Sequence, residues 1–294
     1  PATGRIVWQI IPDAATRVAA LTRGTVDVMV NLPVPLISTV ESDLKLAVYS
    51  ELGSSVHLLL LNASQSQALK DRRVRQALAY AIDRPTILKS LYAGRGTLAN
   101  SVVARQVTNA IDPGPYAYDP ERAKKLLAEA GQGGGFDLAL WQATGRWSQA
   151  EEAAQLIAGY WEKIGARVSL QTLEWGEYNR RAGRGLLKDA GYYAFVNGTW
   201  DPSYLTQRFL PTYGSFRYFD AAGDLKRVIE EHERAFEPAK RRELAAQVQK
   251  GLHEEVGWLY LWQLDEIFGM TRNVKNFRMR PDHILWTREA YVEA

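Results

Sequence analysis

An α/β fold is what this sequence predicts. Short β-rich runs alternate with stretches of helical period through most of the chain, and this pattern places helices over a sheet. Several helical stretches open on aspartate and close on glycine, as capped helices do. With 294 residues and 46% hydrophobic composition, the chain can also bury a sizeable core.

Residues 5–11 form a β-rich run ended by Pro12-Asp13. Residues 14–23 read as a helix, with Val18, Ala19 and Leu21 apolar and Gly24 just past its end. Residues 26–30 and 44–48 alternate toward strands, completing a β-α-β unit. A strand over 56–62 leads into Asp71-Arg-Arg-Val-Arg-Gln-Ala-Leu-Ala-Tyr-Ala-Ile-Asp-Arg84. Here Asp71 is an N-cap, and Val74, Ala77, Leu78, Ala81 and Ile82 make one apolar helical face. Arg84 precedes Pro85, which marks a bend before a second short helix.

Residues 95–118 read as a long loop that either packs over a surface or carries function. Helices follow over 118–131, 148–164 and 175–183, and strands over 136–141, 167–173 and 192–196. Two amphipathic helices, 224–236 and 238–256, precede consecutive extended segments at 258–263 and 266–271. Tyr260 and Trp262 alternate with leucines there, giving an aromatic face suited to packing.

Composition narrows the function classes. The formal net charge is +3 and no run of like charges stands out, so a nucleic-acid footprint has no support. Apolar runs such as Val56-His-Leu-Leu-Leu-Leu61 are too short to cross a bilayer, and Pro1-Ala-Thr-Gly-Arg-Ile shows no signal peptide. The absence of cysteine removes disulfides, thiolate catalysis and sulfur-ligated metals. Nine tryptophans and fourteen tyrosines suit aromatic-lined binding surfaces.

Enzymatic signals are weak. His57, His232, His253 and His283 are scattered without metal-ligand spacing, and His232 and His253 read as lying on solvated helix faces. No nucleophile elbow, phosphate loop or dinucleotide fingerprint occurs. Gly131-Gln-Gly-Gly-Gly135 follows a helix and precedes a strand, the wrong order for a phosphate cradle.

The richest candidate site is Val196-Asn-Gly-Thr-Trp-Asp-Pro-Ser-Tyr204, a polar and aromatic turn directly after a strand. Asn197, Thr199 and Asp201 suit hydrogen bonding to a ligand, with Trp200 and Tyr204 as apolar walls. Alternatively, Asp201 caps the next helix with Pro202 in its first turn. A second candidate is Trp141-Gln-Ala-Thr-Gly-Arg-Trp147. There Trp141 and Trp147 offer stacking surfaces, and Arg146 reinforces the free amides of a helix start.

Four ordered segments carry a resemblance. The 71–84 string resembles the Asp-x-x-Val-Arg-x-Ala-x-x-x-Ala-Ile-Asp-Arg signature of the large solute-binding proteins that feed ABC importers for peptides and nickel, the dipeptide/oligopeptide-binding family 5 class. Residues 11–27, the Tyr118-Asp-Pro-Glu-Arg-Ala-Lys-Lys-Leu-Leu-Ala-Glu-Ala-Gly131 helix and Asn273-Val-Lys-Asn-Phe277 are similar to further segments of that family. In the last, Asn276 replaces the usual glycine, a swap that a left-handed backbone tolerates.

The resemblance implies a periplasmic-binding-protein-like α/β fold, with mixed sheets flanked by helices and two lobes joined by crossover strands. Residues 1–54 and 264–294 would belong to an incomplete first lobe and 55–263 to the second, with hinges near 54–57 and 263–268. It also implies an extracytoplasmic, periplasmic or membrane-anchored component that captures a small solute between its lobes and passes it to an ABC permease. Such a protein is a monomer and works without catalysis, cofactor, metal or nucleic acid. In peptide-binding relatives the 197–204 loop resembles G-W-x-x-D-Y-x-D-P, whose first aspartate pairs with the peptide's α-amino group. Alignment on Asp201-Pro202 puts Gly198 at that position, so the ammonium partner is lost. Peptides, opines, sugars and metal chelates all stay open as ligands. A sensor or chaperone module on the same fold is the alternative, and an α/β hydrolase a weaker one, because no serine has the needed context.

Overall fold

The computed structural model describes residues 4–280 and 284–293, so His283 and the first three residues of the stretch read for a leader lie outside it. Two compact units divide the chain: residues 1–53 with 264–294, and residues 54–263.

In the smaller unit, α1 (Ala14–Thr22) is capped by Asp13, whose carboxylate accepts from the Thr16 amide at 2.7 Å. Strand β1 (Val28–Met29) and helix α2 (Ile37–Glu41) follow, and β2 (Leu46–Leu61) begins here. Val18, Leu21, Met29, Leu32, Val40 and Ile267 form its core.

The expected β-α-β unit is not what forms. Residues 5–11 make no strand, and β1 pairs antiparallel with β7 (Trp258–Thr271), with Val28 opposite Met270. The expected separate strands at 44–48 and 56–62 are one continuous β2, and the two extended segments after 258 are one continuous β7. Gly53 lies in the middle of β2, where the strand passes close to β7. A Cβ there would stand 2.9 Å from Glu266 Oε1 and 3.1 Å from the Leu264 carbonyl oxygen, so a larger residue would displace the Glu266 side chain and crowd that carbonyl.

The larger unit holds the signature helices. Asp71 caps α3 (Arg72–Tyr80), accepting from the Arg73 amide, and Asp83 caps α4 (Arg84–Tyr92), accepting from the Thr86 amide. The expected apolar face, Val74, Ala77, Leu78, Ala81 and Ile82, is fully buried. Strand β3 (Gly96–Leu98) pairs with β7 inside the segment expected to be loop throughout. The rest of that segment packs inward through Val102, Val103 and Val107. Its Arg105 and Ile111 amides donate to the Gln263 and Gln249 side chains.

Helix α5 (Pro120–Glu129) then leads to β4 (Phe136–Ala143), α6 (Ala150–Glu162), β5 (Ala166–Leu173), α7 (Trp175–Gly183) and β6 (Ala190–Val196). Helices α8 (Ser203–Thr206), α9 (Gly223–Arg234) and α10 (Pro238–Glu255) complete the unit before β7. Back in the smaller unit, β8 (Val274–Lys275) pairs with β11 (Tyr291–Val292) and β9 (Arg278–Met279) with β10 (Leu285–Trp286). Asn276 takes a left-handed φ of 56°.

The sheet is mixed, in the order β1-β7-β2-β6-β4-β5. Strand β2 runs antiparallel to β6 from Ser55 opposite Val196 to Leu61 opposite Ala190, whereas β4 runs parallel to both β6 and β5. Helices cover both faces, which is why Leu58 to Leu61 are all fully buried rather than alternating.

The two arginines of the signature turn inward. Arg75 is almost fully buried and donates to the carbonyls of Leu69, Lys70, Glu255 and Val256. Arg84, 1% exposed, donates to the Ala99, Tyr116 and Tyr260 carbonyls and to Asn100 Oδ1. Burial pulls the Arg84 pKa down to about 10, still well above neutrality, so the cage holds a cation. His232 and His253 depart from their expected solvated faces. His232 is fully buried, and His253 stacks on Tyr116 at 4.1 Å while its Nδ1 donates to the Asn100 carbonyl. The loop folded over α10 supplies those partners, and helical period alone does not reveal it.

Arg84→Met is expected to lower unfolding free energy by about 3–5 kcal/mol, because it strands several buried acceptors at once. Urea unfolding of the two proteins checks this.

Candidate functional site

Strand β6 brings Tyr192, Tyr193 and Phe195 to the end of the sheet where two turns meet. One turn links β4 to α6 and carries Gly145, Arg146 and Trp147; the other is the 197–204 loop after β6. Helix α7 starts beside them with Trp175, its first turn capped by Glu174. Tyr178 on α7 donates its hydroxyl to the Tyr192 carbonyl, tying the helix to the strand.

These elements assemble a strip of rings. Trp147 meets Trp175 edge to face at 5.4 Å and Tyr193 at 5.3 Å. Tyr193 continues the strip to Phe195 at 4.7 Å and Phe216 at 5.0 Å. Phe195 stacks on the buried Trp258 at 5.0 Å, so the strip is braced from behind by the core. His57 on β2 completes one end, its Nδ1 2.8 Å from the Tyr192 hydroxyl. Burial pushes the Tyr193 phenol up to about 12, although the nearby Arg146 and Arg208 guanidiniums pull the other way.

Three bulky residues here hold left-handed backbone: Gln149 at φ 56°, Trp200 at 57° and Phe216 at 57°. Such conformations cost on the order of 1–3 kcal/mol each and concentrate where function dictates geometry.

Of the residues read as site candidates, Trp147 and Arg146 stand together. The Arg146 guanidinium lies 5.4 Å from the Trp147 ring centre and 4.8 Å from that of Trp175. It is exposed and makes no hydrogen bond or ion pair with any described residue. Trp141 is half-buried, with Arg181 over its ring at 5.9 Å. Trp200 and Tyr204 are half-buried against the core, and Thr199 is exposed. Asn197 is fully buried; its Nδ2 donates to the Val102 carbonyl and its Oδ1 is sealed without a partner.

Asp201 is engaged within the fold. It accepts from the Ser203 amide at the start of α8 and from both Nε and Nη2 of Arg241 on α10, a bidentate pair. Burial alone would raise its pKa, but Arg241 and Ser203 outweigh this and hold it at about 2. Arg241 also donates to the His232 and Ala235 carbonyls, clasping the loop to the end of α9.

Trp175, Tyr193, Phe216 and His57 belong to the strip and Arg208 flanks it, and the sequence alone marks none of the five as a site residue. The available signal was the aromatic run on β6 just before the loop, and the lone arginine at 208 among Tyr204, Phe209, Tyr213 and Phe216.

Elsewhere on the larger unit, an open groove of about 650 Å³ is lined by Lys70, Arg72, Arg75, Phe219, Asp220 and Glu255 among others. Glu255 pairs with both of its arginines, so they offer little free charge to a ligand.

A sequence model of the bacterial extracellular solute-binding proteins, family 5 (Middle), matches residues 1–216. The chain belongs to this family. It is 36% identical over 202 residues to heme-binding protein A of Haemophilus influenzae, covering 67% of this chain and 37% of that protein. It is 29% identical to the dipeptide-binding protein of Escherichia coli K12, covering 96% of this chain and 54% of that protein. The chain thus spans about half the length or less of the curated relatives it matches. Among solved structures, it shares its fold with the ABC transporter-associated periplasmic binding protein DppA from Helicobacter pylori, in complex with the peptide STSA. The TM-score is 0.86 at 21% identity, covering 97% of this chain and 56% of that one. Membership in the family and the periplasmic-binding-protein fold agree with the resemblance carried by the four segments.

Next to the Asp201 clasp, burial raises the pKa of Glu233 to about 7, only partly offset by Arg241. A carboxyl with a raised folded pKa costs stability as pH climbs from its unfolded value near 4.5 through 7. Glu233→Gln is therefore expected to raise the melting temperature at pH 8 and to leave it unchanged at pH 4, as scanning calorimetry at both pH values would show.

Proposed function

We propose that this chain is the ligand-capturing part of an extracytoplasmic solute-binding component of an ABC importer. It holds a small solute on the ring strip of its larger unit and delivers it to the membrane permease. Arg146 over Trp147 and Trp175 carries this reading. An exposed guanidinium held on two indoles, with no acid or carbonyl among the described residues bonded to it, is preset to take an anionic ligand group. The bracing of the strip by Trp258 and the left-handed backbone at Gln149 and Trp200 keep that surface in place before a ligand arrives.

Capture here involves no bond-making. The rings and Arg146 recognise a solute by stacking and charge, and family membership is in proteins that bind solutes. The chain crossings at Gly53–Ser54 and Gln263–Leu264 serve as hinges in this reading, favouring a ligand-bound form for docking. The relatives named for heme and dipeptide make a compact solute with a carboxylate the favoured class. With Gly198 where an aspartate would meet an α-amino group, an ordinary free peptide is the less favoured member of it. Among the described residues no helix is long and apolar enough to cross a membrane, and in this reading delivery relies on the permease.

Mass spectrometry of small molecules carried through purification of the intact protein identifies the solute, and titration calorimetry then tests the site. Trp175→Ala is expected to weaken binding roughly 5- to 30-fold, for about 1–2 kcal/mol of stacking. Arg146→Gln should weaken it roughly 10-fold or more through a lost charge-assisted hydrogen bond. Unchanged affinity in both variants overturns the assignment.

A further inference from the structure

Besides Arg146, whose guanidinium is exposed, three arginines described above are buried, and they are treated very differently. Arg75 and Arg84 are each surrounded by four backbone or side-chain oxygens, and Arg75 also meets Glu255. Arg208, 8% exposed, has among the described residues only the Ser215 hydroxyl as a hydrogen-bond partner, at 3.2 Å from its Nη1. It makes no ion pair with any described residue, and its Nε is sealed with no partner. Nη2 is neither hydrogen-bonded nor sealed.

Rings take the place of the missing oxygens. The guanidinium carbon lies 5.0 Å from the Tyr213 ring centre, 5.2 Å from Phe195, 5.3 Å from Phe216 and 5.6 Å from Tyr204. Four aromatic faces orient a cation and keep water off it, yet they supply no acceptor for its N–H groups. A desolvated charge with unmade hydrogen bonds is costly unless something completes it. Phe216, one of these rings, holds a left-handed backbone, a conformation a bulky residue seldom adopts.

The cage is continuous with the strip. Phe195 and Phe216, which flank Arg208, are also the ring neighbours of Tyr193, and Tyr193 touches Trp147 and Trp175 beneath Arg146. Acids on the neighbouring elements have other partners: Asp201 pairs with Arg241, Glu177 with Arg180 and Arg181, and Glu151 accepts from the Gly145 amide. Two guanidiniums without an acid partner among the described residues therefore stand at the two ends of one chain of ring contacts.

We infer that Arg208 is a second anion-recognition residue, and that the captured solute carries two anionic groups, one for Arg146 and one for Arg208, joined by a flat or apolar body lying on Tyr193 and Phe216. This rests on the proposed binding function and narrows its substrate class to dianionic solutes, with carboxylate or phosphate as the charged group.

Tryptophan-fluorescence titration of the intact protein tests it with three probes. N-acetyl-Phe-Glu carries two carboxylates, N-acetyl-phosphotyrosine a carboxylate and a phosphate, and N-acetyl-Phe-Gln one carboxylate. The wild type is expected to bind at least one of the two probes with paired anionic groups, called dianions here for their two charged groups, roughly 10- to 100-fold tighter than the monoanion. Arg208→Gln should erase that preference while leaving monoanion affinity within about twofold. Arg208→Lys, which keeps the charge but not the fork, should retain part of it and serves if the glutamine variant does not fold. A wild type that does not prefer or does not bind the dianions overturns the inference, as does a preference undiminished from wild type in Arg208→Lys when Arg208→Gln is unfolded. An equal loss for all three probes in Arg208→Gln also overturns it. If the solute found by mass spectrometry still binds through Arg146 and Trp175 in any of these cases, the capture function stands; if nothing binds, both fall.

Discussion

The buried guanidinium of Arg84 is the interaction on which the larger unit depends. From the first turn of α4 it reaches the carbonyl of Tyr260 on β7, the carbonyls of Ala99 and Tyr116, and the Asn100 side chain. One cation thus joins the signature helices, a central strand and the long connection that crosses α10. Arg75 does the same between α3 and the end of α10. Arginine suits both positions because its five fixed donors can satisfy several carbonyls at once, which lysine cannot. The signature motif is therefore an architectural device, and it fixes the frame on which β6 and its rings are carried.

A second layer of organisation separates structural from receptive charge. Arg75, Arg84 and Arg241 are answered by carbonyls or by Asp201, and they stiffen the fold. Arg146 and Arg208 are answered mainly by rings. The same residue type therefore does two jobs, decided by whether oxygen or aromatic carbon surrounds it. The 197–204 loop shows the distinction at close range: its carboxylate is consumed by the Arg241 clasp, while Trp200 and Tyr204 lean on the core beside the strip.

Much of this fold was legible in the sequence, because caps and helical period are local. Asp13, Asp71, Asp83 and Asp119 all cap the helices they precede, and α7 forms where its pattern lies. What was not legible depends on distant partners. The continuity of β2 and β7 follows from their mutual pairing, which carries Ser50 to Ser55 through in extended form. The burial of His232 and His253 follows from tertiary cover, and the antiparallel pairing of β1 from a partner some 240 residues away, as Val28 opposite Met270 shows. The candidate site was half visible for the same reason. Trp147 and Arg146 lie in one short turn, whereas Trp175, Tyr193, Phe216 and Arg208 meet only once the sheet has formed.

The left-handed backbones at Gln149, Trp200 and Phe216 have a consequence for how this protein tolerates change. Glycine or asparagine would relax each of them, so a search for hardier variants is drawn to these three positions. At Trp200 and Phe216 the same replacement deletes a ring beside the strip or the Arg208 cage. Robustness and recognition thus compete for the same few side chains, and a variant that gains the first there gives up the second.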